Sequence, residues 1–177
     1  DYTDSYTSDD YFVRVIGEDG MIDAAIGRLP IDSKETALLL LNKIRHYETK
    51  SSVDNWRANV TLVADDGPTS GGGTDSATHT RQSEEIATSS YYMSPDFIEK
   101  KIYMVEYPVE NIPKGRRKPR VTEDLLSNIN NKGSVILNWI GHGNPHVWAH
   151  EAIYERDVTT SQFSNYDKLF FLVAATC

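Results

Sequence analysis

A chain of 177 residues with 39% hydrophobic and 10% aromatic residues can bury one ordinary core, or one core plus a small subdomain. A net charge of −8 and a pI near 5.1 argue against nucleic acid or an anionic membrane surface as partner. No apolar run approaches the roughly 20 residues of a membrane span, no signal peptide is read at the start, and a single cysteine rules out an internal disulfide.

Residues 1–10 are polar and acidic and read as an entry loop; both ends look cut from something longer. Positions 11–16 and 24–26 are predicted as short strands flanking the turn Gly17-Glu18-Asp19-Gly20. A helix follows, with Asp32 as its cap and Glu35 three places on. Its stripe of Ala37, Leu38, Leu41, Ile44 and Tyr47 should pack on a sheet. After a linker, Val60-Thr61-Leu62-Val63-Ala64 reads as a strand opening a second unit. The expected division is therefore the end of a smaller α/β subdomain over 1–52 and a second unit over 53–177.

That strand runs into Asp65-Asp66-Gly67-Pro68, then into a loop over 69–80 rich in Gly, Ser, Thr and Asp. A helix is predicted over 83–90, a strand over 101–107, and a solvated basic loop over 114–120. The next helix, 122–130, takes Thr122 as cap, turns Leu125, Leu126 and Ile129 to one side, and stops at Gly133. Strands over 135–140 and 169–174 bracket loop and short helix. Alternating strands and helices after residue 59 indicate a parallel α/β sheet flanked by helices.

Two of the apolar runs end on reactive side chains. Trp139-Ile140-Gly141-His142-Gly143 delivers a histidine between glycines, and Val173-Ala174-Ala175-Thr176-Cys177 delivers the only cysteine. The interval between them exceeds the dozen residues of a parallel crossover, so both can sit at one sheet edge. A thiol with a free pKa of about 8.5 needs a base or cation to become a nucleophile, and histidine supplies both. The N–H groups of Gly143 and Cys177 are candidate oxyanion donors, worth about 3–4 kcal/mol each to a transition state. Two plainer readings stay open: Cys177 as a small buried hydrophobe, and His142 as a turn residue.

Other residues carry weaker signals. His142, His146 and His150 have helical spacing, but Gly141, Gly143 and Pro145 break the helix that would align them on a metal, so no metal is assigned. Asp65, Asp66 and Asp75 offer oxygen donors to calcium, against the plainer reading of a solvated acidic loop. Trp148 and Glu151 are candidate substrate-binding residues, and Arg28 a candidate ion pair between the two units.

Together these residues resemble a known family. The Gly-His-Gly motif and the strand ending in Cys177, with Ile26-Gly27-Arg28-Leu29-Pro30, His46-Tyr47-Glu48 and Val63-Ala64-Asp65-Asp66-Gly67-Pro68, are similar to the gingipain-like cysteine peptidases of family C25. Asn138-Trp139-Ile140, Trp148-Ala149-His150-Glu151 and Ala175-Thr176-Cys177 look most like the type IX secretion sortase branch. The resemblance implies a caspase-haemoglobinase-like fold and a cysteine endopeptidase in which Cys177 attacks, His142 moves protons and an acyl-enzyme forms. It places Asp65 beside the histidine as third catalytic group and implies no cofactor. It also implies a protein or peptide substrate, secretion-machinery partners and an extracellular or bacterial outer-surface location. A caspase-like module that has lost catalysis and serves binding or assembly is the alternative. The resembled fold continues past the cysteine into its specificity pocket, so substrate preference is not legible.

Overall fold

In the computed structural model, which describes residues 8–49, 54–69, 72–113 and 115–176, the chain forms two compact units, Asp1–Ile44 and Arg45–Cys177. The division falls within helix α1 (Lys34–Thr49).

In the first unit a short 3₁₀ turn, Asp10–Val13, stands where a strand over 11–16 was expected, and the described part of this unit contains no strand. A strand needs a neighbour to take its N–H groups. Here the Asp23 carboxylate takes those of Val15 and Ile16 instead, at 2.7 and 2.8 Å, which favours a turn. Arg28 forms its ion pair with Asp9 inside this same unit, not between units. The cap of helix α1 is Ser33, one residue after the expected Asp32: Ser33 Oγ accepts the Thr36 N–H, and Asp32 accepts only the Thr36 hydroxyl. None of the helix's residues is buried, although it was expected to cover a sheet.

The second unit is built on β1 (Asn59–Ala64), β2 (Ile98–Tyr103), β5 (Ile136–Ile140) and β8 (Phe171–Ala175), all parallel and ordered β2-β1-β5-β8. Among the described residues, two small antiparallel pairs complete the strands: β3 (Glu110–Ile112) with β4 (Gly115–Arg117), and β6 (Val147–Trp148) with β7 (Tyr154–Glu155). Helices α2 (Thr78–Thr88), α3 (Pro119–Ser127) and α4 (Arg156–Thr159) connect them.

Alternation along β1 sends residues to two cores. Val60, Leu62 and Ala64 meet Ala87 of α2 and Tyr103, while Val63 joins Leu137, Trp139, Val121, Leu125 and Ile129 on the other side. Each fully buried aliphatic side chain there contributes about 1.5–3 kcal/mol. Pro119 pre-sets the first turn of α3, so Thr122 is inside the helix, where its hydroxyl donates to Ile153 O at 2.7 Å. A π-turn over Asn128–Lys132 ends on Gly133, whose φ of 78° is the left-handed stop its sequence position suggested.

Both apolar runs that end on reactive residues form strands. β5 is buried apart from its half-buried first residue, whereas β8 is an edge strand and all five of its residues are exposed.

Candidate active site

The sheet order places a switch point between β1 and β5. The chain leaves β1 to build β2 on one side, then crosses back to build β5 and β8 on the other, which opens a crevice outside the carboxyl ends of β1 and β5. Asp65 follows β1 directly, and His142 follows β5 after Gly141. The ladder runs one residue beyond the strands: Asp65 N donates to Ile140 O at 3.0 Å and Gly141 N to Ala175 O at 3.3 Å.

Asp65 acts on the main chain of the histidine. Its Oδ2 accepts the His142 N–H at 2.9 Å, and its Oδ1 accepts the Asp66 N–H at the same distance. The carboxyl is 2% exposed, and burial pushes its pKa from 3.8 up to about 6 against the opposing effect of these two bonds. Gly141 is demanded by this approach, because a Cβ there would lie 2.5 Å from both Asp65 Cβ and Trp139 Cζ2.

The imidazole itself meets a different carboxylate. Asp75 Oδ2 lies 2.9 Å from His142 Nε2, and His79 Nδ1 faces the same oxygen at 3.5 Å. The rings of His79 and His142 meet edge to face with centroids 5.0 Å apart. With Asp75 ionised, the neutral His142 ring donates from Nε2 and keeps its lone pair on Nδ1. His79, which no sequence motif singled out, enters from the first turn of α2. Its i, i+4 spacing from Asp75 was the available signal.

Behind this group lies a buried set of charges. Asp66 and Glu151 are 5% and 0% exposed, with Asp65 beside them. Lys118 Nζ sits 2.6 Å from Asp66 Oδ2 and donates to Met104 O, while Arg116 reaches Glu151 Oε1 at 3.1 Å. Part of the basic stretch expected to be a solvated loop is thus folded inward, since buried carboxylates require opposite charge. Asp75 groups with the two histidines, not with Asp65 and Asp66 as the calcium reading assumed.

Trp148 and Glu151, expected at a substrate surface, are both buried. Trp148 stacks parallel on Trp139 at 5.2 Å and leans on Tyr154, so it serves as core. Their neighbours face the crevice instead: Thr69, His142, Gly143, Asn144, Val147, Ala149 and His150 line a cleft of about 320 Å³. The β6–β7 hairpin forms its floor through Ala149 N donating to His142 O at 2.8 Å. His146 points to Asp157 at 3.9 Å, away from His142's partners, so the three evenly spaced histidines do not converge.

Cys177 lies outside the described residues. Its predecessor Thr176 is described, and a Cβ on Gly143 would come within 2.8 Å of Thr176 Oγ1. The glycine after the histidine therefore packs against the residue before the cysteine.

Comparison with known proteins agrees with this architecture. The crystal structure of the Arg-specific cysteine proteinase gingipain R (RgpB) superposes with a TM-score of 0.65 at 20% identity, over 100% of this chain and 37% of that one. The complex of Porphyromonas gingivalis RgpB pro- and mature domains gives 0.64 at 19% identity, over 98% and 38%. The chain thus spans well under half the length of these proteins, and at such identities the likeness shows the shared caspase-like fold. No curated protein sequence matches. The model of peptidase family C25 matches residues 2–177, and the chain belongs to that family.

Proposed function

We propose that this chain carries the nucleophile and base of a cysteine endopeptidase. The observation that carries the reading is the placement of His142 at the switch point, its imidazole held by Asp75 at 2.9 Å and its following glycine packed on the residue before Cys177. In this mechanism Asp75 fixes Nε2–H, which leaves Nδ1 to take the proton from the Cys177 thiol. The thiolate attacks a peptide carbonyl, and the Gly143 and Cys177 N–H groups receive the oxyanion. Nδ1–H then protonates the leaving amine. Water, or an amine acceptor, releases the acyl group.

Asp65 is a positioning residue that holds the His142 backbone. Substrate chains would enter the cleft over Ala149 and His150, with Trp148 and Glu151 supporting its floor from beneath. The motifs around Asn138-Trp139 and Trp148-Ala149 favour a sortase of type IX secretion at the outer surface, which cleaves a secretion signal and passes the acyl group to an amine. The described helices include none long and apolar enough to cross a membrane.

The test is hydrolysis of a fluorogenic peptide library by the full-length protein. Activity that Cys177→Ala abolishes with the fold intact supports the reading, and an added amine acceptor that diverts product to a conjugate supports the sortase form. Activity unchanged in Cys177→Ala overturns it. A folded wild type without hydrolysis or transfer would leave the binding-module alternative.

A further inference from the structure

We propose that Asp75, His79 and His142 form a zinc site whose occupation switches the histidine off as a base; the second half of this statement rests on the function proposed above.

Three elements bring the donors together: the loop before α2, its first turn, and the turn after β5. The three ligand atoms lie within 4.8 Å of one another. A tetrahedral ion with bonds of about 2.0–2.1 Å separates its ligand atoms by about 3.3 Å. The observed separations from Asp75 Oδ2, 2.9 Å to His142 Nε2 and 3.5 Å to His79 Nδ1, bracket that edge. Two polar atoms of these residues, His79 Nδ1 and Asp75 Oδ1, are buried without a hydrogen-bond partner. An ion would supply what they lack.

Two imidazoles and one carboxylate form a borderline-soft donor set, suited to zinc over calcium or magnesium. His142 is 43% exposed in its side chain, which leaves the fourth position open to water.

The consequence follows from tautomers. A neutral imidazole bound to a metal through Nε2 carries its one proton on Nδ1. The proton that Nε2 donates to Asp75 is displaced to Nδ1, the nitrogen that must be free to accept from the thiol. Zinc at this site therefore stops proton transfer while the fold stays unchanged.

Cobalt(II) titration of the full-length protein reads binding without any need for activity. Wild type should develop the visible absorption of a tetrahedral site, lost in His79→Ala and in Asp75→Asn, kept in His150→Ala, and displaced by zinc. Separately, the zinc concentration that halves peptide hydrolysis, each variant against its own uninhibited rate, should rise at least about tenfold in His79→Ala. Cobalt absorption that survives His79→Ala, or a thiolate-to-cobalt band that vanishes in Cys177→Ala, would place the ion elsewhere and overturn the site. A cobalt signal on these ligands without inhibition by zinc would overturn the switch. If the protein proves to have no peptidase activity, the proposed function fails while the cobalt titration still decides the metal site.

Discussion

Asp65→Asn separates what the carboxylate does for the histidine loop from what its burial costs. Asp65 accepts two backbone N–H groups, one on each oxygen. Asparagine has a single acceptor oxygen, so one N–H is left facing an NH₂ group, a loss of about 1–3 kcal/mol. The wild type carries an opposing term. The folded chain keeps the proton on Asp65 up to about pH 6, and the unfolded chain only to about 3.8. Between those values the folded state binds more protons, so stability falls as pH rises, by roughly 3 kcal/mol in all once both states are ionised. Asparagine does not titrate. The variant should therefore be clearly less stable than wild type near pH 4 and should close most of that gap near pH 7. Urea unfolding of both proteins across this range measures the difference directly. A gap that stays constant, or widens with pH, would refute the argument that burial dominates this carboxyl.

Three further substitutions test the packing around the site. Gly141→Ala forces a methyl onto the Asp65 side chain and the Trp139 ring and should cost at least about 1–3 kcal/mol in urea unfolding; wild-type stability would show that the approach is looser than described. Lys118→Met strands the buried Asp66 carboxylate and should cost about 3–5 kcal/mol, with partial recovery on adding Asp66→Asn; a neutral result by thermal unfolding would remove Lys118 from its neutralising role. Trp148→Ala should lower stability by about 3–5 kcal/mol through loss of the stack on Trp139, whereas unchanged stability with a raised KM would return Trp148 to the substrate surface.

The parallel sheet was legible because β1 and β5 are short apolar runs bounded by turn residues, a pattern set by burial on both faces. Helices α2 and α3 start earlier than read, and α3 does so because Pro119 stabilises a first turn that has little apolar content. The strands expected near Tyr11 and Ala24 failed for a non-local reason: β-propensity makes no strand without a neighbour, and Asp23 offered the N–H groups a closer acceptor.

The site was legible at His142, whose flanking glycines reflect contacts with Asp65, Trp139 and Thr176 that no side chain at those positions could share. Its partners were harder to see. Asp75 lies in a loop with no periodic pattern and His79 at a helix start, so only folding brings them to the imidazole. Lys118 and Arg116 were obscured by their setting in a basic run, because whether a charge is solvated or buried depends on carboxylates distant in sequence.

The most direct test of the account is the pH dependence of Cys177 alkylation in the full-length protein. If His142 and Cys177 form a thiolate–imidazolium pair, the opposite charge keeps the thiol ionised well below its free value of about 8.5, and alkylation should remain fast near pH 6. In His142→Ala that low-pH reactivity should vanish, and the rate should rise only as the pH approaches about 8.5. Identical pH–rate curves for wild type and His142→Ala would show that the two residues are not coupled and would contradict the peptidase reading of this site.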